Sequence, residues 1–242
     1  MTVKDNLNEL LKVKNETDSS AELYFYGDIV SDWEGGWSSE DQYPKAIRDF
    51  LKNSEGKDLN IYINSGGGSV FAGMAIYNML KRHSGKKTVH VDGIAASIAS
   101  VIALAGDVIV IPANAYLMIH KPFAPCIGNS DEMLKMAANL EAIEDGIINV
   151  YKEHLRDGAD IEEIRQMVQA ETWLTGDEAA KYFDITTAAP KEYAACISGE
   201  ARFKNTPEKV IKSAQAAFDT ADIAEKIKRV EIGSIMKGVQ NL

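Results

Sequence analysis

The sequence predicts an α/β fold with mostly parallel strands. Two observations carry that reading. Strand and helix patterns alternate through the centre of the chain, and Ala95 to Leu104 is small and apolar on all sides, as a buried helix should be. Of the 242 residues, 45% are hydrophobic and 26% charged, which supplies a core of useful size and suits one domain with an appendage.

The elements follow in order. Met1 to Ser20 is polar with loosely spaced leucines and reads as a short helix or an arm. Glu22 to Val30 alternates and is aromatic, which predicts a strand ending near Gly27-Asp28. Ser31 to Glu40 is a loop, and Asp41 to Asn53 is an amphipathic helix with Ile47, Phe50 and Leu51 on one face. Leu59 to Ile63 is a short strand leading into Asn64-Ser65-Gly66-Gly67-Gly68-Ser69. Val70 to Arg82 is a helix closed by Ser84-Gly85, and Lys87 to Asp92 is a strand before the buried helix. Asp107 to Pro112 and Ala115 to His120 are strands joined by Asn114. Ser130 to Leu155 is a long helix with acids in its first turn, and Ile161 to Ala170 is another. Thr175-Gly176-Asp177-Glu178 is a capping box opening a helix over Ala179 to Phe183. The character changes after Pro190, and Thr206-Pro207 starts a last helical segment whose apolar face includes Val210 and Phe218. The domain reading is therefore an arm at 1–20, a domain at 21–190 and a helical tail at 191–242.

Composition excludes several function classes. A net charge of −10 disfavours a nucleic-acid partner. The longest apolar run, Gly93 to Gly106, falls short of the roughly 20 residues a membrane span needs. The charged N-terminus has no signal-peptide core, and two cysteines do not make a disulfide scaffold, so cytoplasm is the expected compartment. No His-Glu-x-x-His or Cys-x-x-Cys occurs, and neither a metal nor another cofactor is implied.

Three short stretches carry chemistry. Gly66-Gly67-Gly68 lies between a strand and a helix, where glycine allows close backbone approach and amides can point at a ligand oxygen. It is equally a tight turn, and it is not a phosphate loop. Gly93-Ile94-Ala95-Ala96-Ser97 places Ser97 where a strand turns into a buried helix, near amides and a positive dipole end. An N-cap role explains the same serine equally well. His120 ends a strand, a rigid place from which to project a base. His83, His90 and His154 read as structural or surface residues.

Together the three stretches resemble the Clp-type serine peptidases, the ClpP family. There an Asn-Ser-Pro-Gly-Gly turn supplies an oxyanion amide, a Gly-x-Ala-Ala-Ser segment the nucleophile, and a Met-Ile-His-x-Pro segment the base. Here the turn is Asn64-Ser65-Gly66-Gly67-Gly68, with glycine in place of proline at Gly66, and the base segment is Met118-Ile119-His120-Lys121-Pro122. The resemblance spans about Leu23 to Thr187. It implies a ClpP/crotonase-like core of repeated ββα units, a long handle helix from Ser130 and a C-terminal helical appendage. It implies Ser97 as nucleophile, His120 as base, and the amides of Gly67 and Ile98 as oxyanion donors. The family's acid precedes an aromatic-Leu-Ser/Thr stretch, which makes Glu171, before Thr172-Trp173-Leu174-Thr175, the third member. Asp92, Asp107, Asp177, Glu178 and Asp184 are the competing acids.

Glutamate at that position looks like the ClpP-related head-maturation (prohead) proteases of phages and prophages. The resemblance thus implies an ATP-independent serine endopeptidase acting on protein substrates such as capsid, portal or scaffold precursors. It would work as a homo-oligomeric ring, or two stacked rings, in the cytoplasm of a host cell. The arm and the long tail depart from the family pattern and leave an AAA+ unfoldase as an open partner. The alternatives are a housekeeping Clp proteolytic subunit, a crotonase-like acyl-CoA enzyme and an inactive scaffold subunit.

Overall fold

A seven-stranded sheet carries the chain in this computed structural model, which describes residues 17, 19–32, 41–189 and 203–210. Its strands are β1 (Ser20–Phe25), β2 (Asp58–Ser65), β3 (Lys87–Ala96), β4 (Val108–Pro112), β5 (Tyr116–Ile119), β6 (Thr172–Thr175) and β7 (Thr186–Ala188). The helices are α1 (Pro44–Asn53), α2 (Val70–Arg82), α3 (Ile98–Ala103), α4 (Ser130–Glu153), α5 (Ile161–Ala170) and α6 (Gly176–Ala179). The order β1-β2-β3-β4-β7 is parallel throughout. The α/β class with mostly parallel strands is thus the observed one.

β3 serves two neighbours. Its first half, Thr88 to His90, pairs with β4, and its last residues, Ile94 to Ala96, pair with β5. β6 then runs antiparallel to β5, with Met118 opposite Trp173 and Ile119 opposite Thr172. Burial along β3 follows this split: residues alternate at first, then are buried on both faces from Val91 onward. On one face of the sheet Ile61, Ile63, Val89 and Val91 join the helices in the main core. On the other face Ile94, Ala96 and Met118 form a second cluster with Phe203 and Val210.

Several boundaries differ from the sequence reading. α1 begins at Pro44 rather than Asp41, because proline fits the first turn, where an N–H has no helical partner. α2 ends on His83 in extended backbone, so Gly85 is not its cap. Gly85 instead sits where a Cβ would lie 1.8 Å from the Lys57 carbonyl oxygen. Ala95 and Ala96 belong to β3, since β5 pairs with them, and the buried helix starts only at Ile98. The Thr175–Glu178 capping box is present, but it opens α6 at Gly176. The N-terminal arm to Glu16 and the tail beyond Val210 lie outside the described residues.

The described part of the tail packs on the domain. Phe203 and Val210 are 6% and 2% exposed, and both lie on the β3–β5–β6 face. Val210→Asp should therefore cost several kcal/mol, on the order of 3, because a carboxylate would be buried without a partner. Urea unfolding measures it, and an unchanged midpoint would place Val210 outside the core.

Candidate active site

Ser97 sits at the junction of β3 and α3 with φ 56° and ψ −129°, a left-sided backbone that a side-chain-bearing residue rarely adopts. Its neighbours over-determine that conformation. The Ser97 N–H donates to the Met118 carbonyl at 2.9 Å, and the Ser97 carbonyl accepts from the Ser100 N–H at 3.0 Å and the Ser100 hydroxyl at 2.5 Å. Tyr151 of α4 completes the chain, its hydroxyl 2.8 Å from Ser100 Oγ. Burial pushes the Tyr151 phenol up, which keeps it a neutral donor.

The serine is at the N-cap of α3 but makes no side-chain cap bond. Its Oγ lies 2.7 Å from His120 Nε2 instead. That separates the two readings of the serine left open by its position. His120 reaches it because Ala96 pairs with Met118, so the ends of β3 and β5 lie side by side. Val70, Ile98, Pro122 and Tyr151 line the small open cleft around the pair.

The glycine turn lies against the same serine. A Cβ on Gly67 would stand 2.7 Å from Ser97 Cβ and 3.1 Å from the Ile98 nitrogen, and Gly67 has φ +87°. Ile29 pins the turn from both sides: its N–H donates to the Gly67 carbonyl at 2.9 Å, and its carbonyl accepts the Ser69 N–H at 2.7 Å. The Gly67 amide does not point where the sequence analogy places it. It donates to Ser65 Oγ at 3.1 Å, and that hydroxyl donates to the Gly27 carbonyl at 2.6 Å. Ile98 opens α3, so its N–H has no partner four residues back within the helix.

Glu171 is the αL C-cap of α5, with φ 53°, and directly precedes β6. The antiparallel register pairs Ile119 with Thr172, so the next step along both strands is His120 against Glu171. Its Oε1 accepts the Asn205 N–H at 2.6 Å. Three of the five competing acids are engaged elsewhere. Asp92 accepts the Tyr26 hydroxyl at 2.5 Å, Asp107 pairs with Lys87 at 2.9 Å, and Glu178 closes the cap on Thr175. The other histidines are structural: His83 Nε2 is 2.7 Å from the Lys57 carbonyl, His90 stacks on Tyr62, and His154 meets the Tyr77 hydroxyl at 3.1 Å. Burial, together with nearby Lys81, holds His154 below the usual imidazole range.

The family model for Clp protease matches residues 43–185, more than half of the chain, a stretch that includes Gly67, Ser97, His120 and Glu171. The chain belongs to the Clp protease family. Among its relatives, the ATP-dependent Clp protease proteolytic subunit of Bacteroides fragilis is 31% identical over 130 residues, covering 52% of this chain and 61% of that protein. The subunit of the same name from Ligilactobacillus salivarius is 37% identical over 131 residues, covering 52% and 64%. That from Porphyromonas gingivalis is 30% identical over 130 residues, covering 52% and 57%. The matched stretch thus spans about three-fifths of these relatives' length. Phe203, Asn205 and Val210 lie beyond the Clp protease match; the sequence signals near them were the change of composition after Pro190 and the apolar face, including Val210, of the segment opened by Thr206-Pro207.

Within this Clp-family site, the Ser97–Ser100–Tyr151 chain makes an ordering testable. Ser100→Ala orphans the buried Tyr151 hydroxyl and should cost about 1–3 kcal/mol. Tyr151→Phe leaves Ser100 still bonded to Ser97 and should cost less, about 1 kcal/mol. Thermal unfolding of both variants checks this, and the reverse order would show that Ser100 is not the hub.

Proposed function

We propose that the chain is a serine endopeptidase subunit that hydrolyses peptide bonds through Ser97 and His120. The observation that carries this is the 2.7 Å contact between Ser97 Oγ and His120 Nε2, made by a serine held at φ 56° on a strand-to-helix turn. A serine hydroxyl is a poor nucleophile until a neighbouring imidazole takes its proton. His120 Nε2 accepts that proton as Oγ attacks the carbonyl carbon. The carbonyl oxygen becomes an oxyanion, and the Ile98 amide at the start of α3 is assigned as a donor to it. With Gly67 engaged by Ser65, the second donor is assigned to the adjacent Gly68 amide, which donates to no described group. Each such donor is worth roughly 3 kcal/mol of barrier. His120 then protonates the leaving amine, and water repeats the cycle on the acyl-enzyme.

Glu171 is assigned as the acid that holds the His120 ring, which fixes its tautomer and stabilises the imidazolium. The β5–β6 register supports this. Glu171 stands in αL backbone immediately before β6.

The substrates are unfolded or threaded proteins, and the subunits form a homo-oligomeric ring. Supporting the ring is α4, whose residues 130–142 are largely exposed and include Met133 and Leu134 at 50% and 69%. The names of the relatives, proteolytic subunits of an ATP-dependent protease, favour work coupled to ATP. An ATP-independent head-maturation protease is the second reading, favoured by Glu171 where the family pattern has aspartate. Hydrolysis of an unstructured protein without nucleotide is common to both. Cleavage of a folded substrate only with an added unfoldase selects the first.

A fluorophosphonate probe should label Ser97, mapped by mass spectrometry, and Ser97→Ala should abolish labelling and turnover. Glu171→Gln should lower kcat by up to about 10⁴-fold while the variant still assembles. An assembled wild type that takes no label is a scaffold, and wild-type turnover in Glu171→Gln removes that residue from the triad.

A further inference from the structure

The described tail segment does more than cover the sheet. It meets two of the three residues assigned to the relay. The Asn205 main-chain N–H donates to Glu171 Oε1 at 2.6 Å, and the Asn205 side-chain amide donates to the carbonyls of Ala170 and Glu171 at 2.8 and 3.2 Å. The Phe203 ring stands edge-on to His120 with centroids 5.4 Å apart, and edge-on to Trp173 at 5.7 Å. Trp173 in turn meets Tyr116 at 6.2 Å. Phe203 is almost fully buried in these contacts.

We propose that Phe203 and Asn205 are positioning residues of the active site, so that the chain beyond the Clp protease match completes the catalytic relay. The proposal rests on the peptidase reading above. The physical argument has two parts. A carboxylate has two oxygens, and a donor fixed on Oε1 sets where the other one points. Glu171 needs that constraint, because glutamate has one more rotatable bond than aspartate and stands at the end of a strand in αL backbone. The three Asn205 bonds hold both the carboxylate and the backbone at that cap. Phe203 packs beside the imidazole and limits how it can turn out of line with Ser97. Positioning of this kind acts on kcat, since small displacements of reacting groups can cost about 10²-fold.

The test is a double-mutant cycle on the full-length chain, with an unstructured protein as substrate. Asn205→Pro removes the N–H and should lower kcat on the order of 10²-fold with KM within about twofold. Asn205→Ala keeps the N–H and should lose about tenfold at most. In a Glu171→Gln background, Asn205→Pro should add less than about threefold, because it acts through that carboxylate. The acid limb of the kcat–pH profile should move to lower pH in Asn205→Pro, since a displaced carboxylate stabilises the imidazolium less. Phe203→Leu keeps apolar volume and provides a second arm, with kcat reduced about tenfold at unchanged KM. The proposal is overturned if Asn205→Pro costs the same factor in both backgrounds with an unmoved acid limb. It is equally overturned if Phe203→Leu changes only the melting temperature. A wild type inert to substrate and to the serine label overturns the peptidase reading and this proposal together. An active wild type with uncoupled variants overturns this proposal alone.

Discussion

The site depends on one strained residue. Ser97 holds φ 56° and ψ −129° without being glycine, a conformation that costs on the order of 1–3 kcal/mol and persists only when its surroundings impose it. The imposition is distributed. Met118 of β5 holds the amide, Ser100 of α3 holds the carbonyl, Tyr151 of α4 holds Ser100, and the backbone of Gly67 leaves no room beside the side chain. Segments far apart in sequence, at Gly67, Met118 and Tyr151, therefore converge on the turn that carries Ser97. The return is that Oγ is turned out of the helix cap and toward His120. A relaxed N-cap serine would instead bond to its own helix.

The sheet register does the remaining work. β3 gives its first half to β4 and its end to β5, with a register shift between Ile63 and Ser65 where β2 runs alongside. Asn64 Oδ1 accepts the Ile94 N–H at 3.3 Å at that shift, so the glycine turn and the serine strand advance together. β5 then pairs with β6, which brings the α5 cap to the strand end that carries His120. Hydrogen-bond ladders set these positions to within a residue, whereas side-chain reach alone would not.

What was legible in the sequence follows from range. Val70–Arg82 and Ile161–Ala170 match the expected helices at both ends, because period, caps and charge are local signals. The capping box at Thr175–Glu178 is of the same kind. The pairing of Ser97 with His120 was legible through motif context, and the structure sets their side chains 2.7 Å apart. The start of α3 was not, because Ala95 and Ala96 have no strand propensity of their own and are recruited by β5. The direction of the Gly67 amide was not legible either. It depends on a hydroxyl two residues away whose own donor bond goes to Gly27, across the end of β1. Least legible was the place of Phe203 and Val210. Their partners, Ile94, Ala96, Met118 and Trp173, share a face only once three strands have paired.

The long helix links the site to the exterior. The C-terminal half of α4 is anchored: Ile147, Ile148, Val150 and Tyr151 are buried, and Glu144 is 6% exposed. Glu144 pairs with Lys121 Nζ at 3.0 Å, one residue after His120. A buried carboxylate needs that partner, because an unpaired buried charge is strongly destabilising, so the contact fixes the end of β5 against the helix. The N-terminal half of α4 projects, with Met133 and Leu134 exposed and Ile127 just before it fully so. A helix is stiff over this length, so the projecting and anchored halves move as one body. One helix thus touches both sides of the candidate site: Tyr151 reaches Ser97 through Ser100, and Glu144 reaches the strand end of His120 through Lys121.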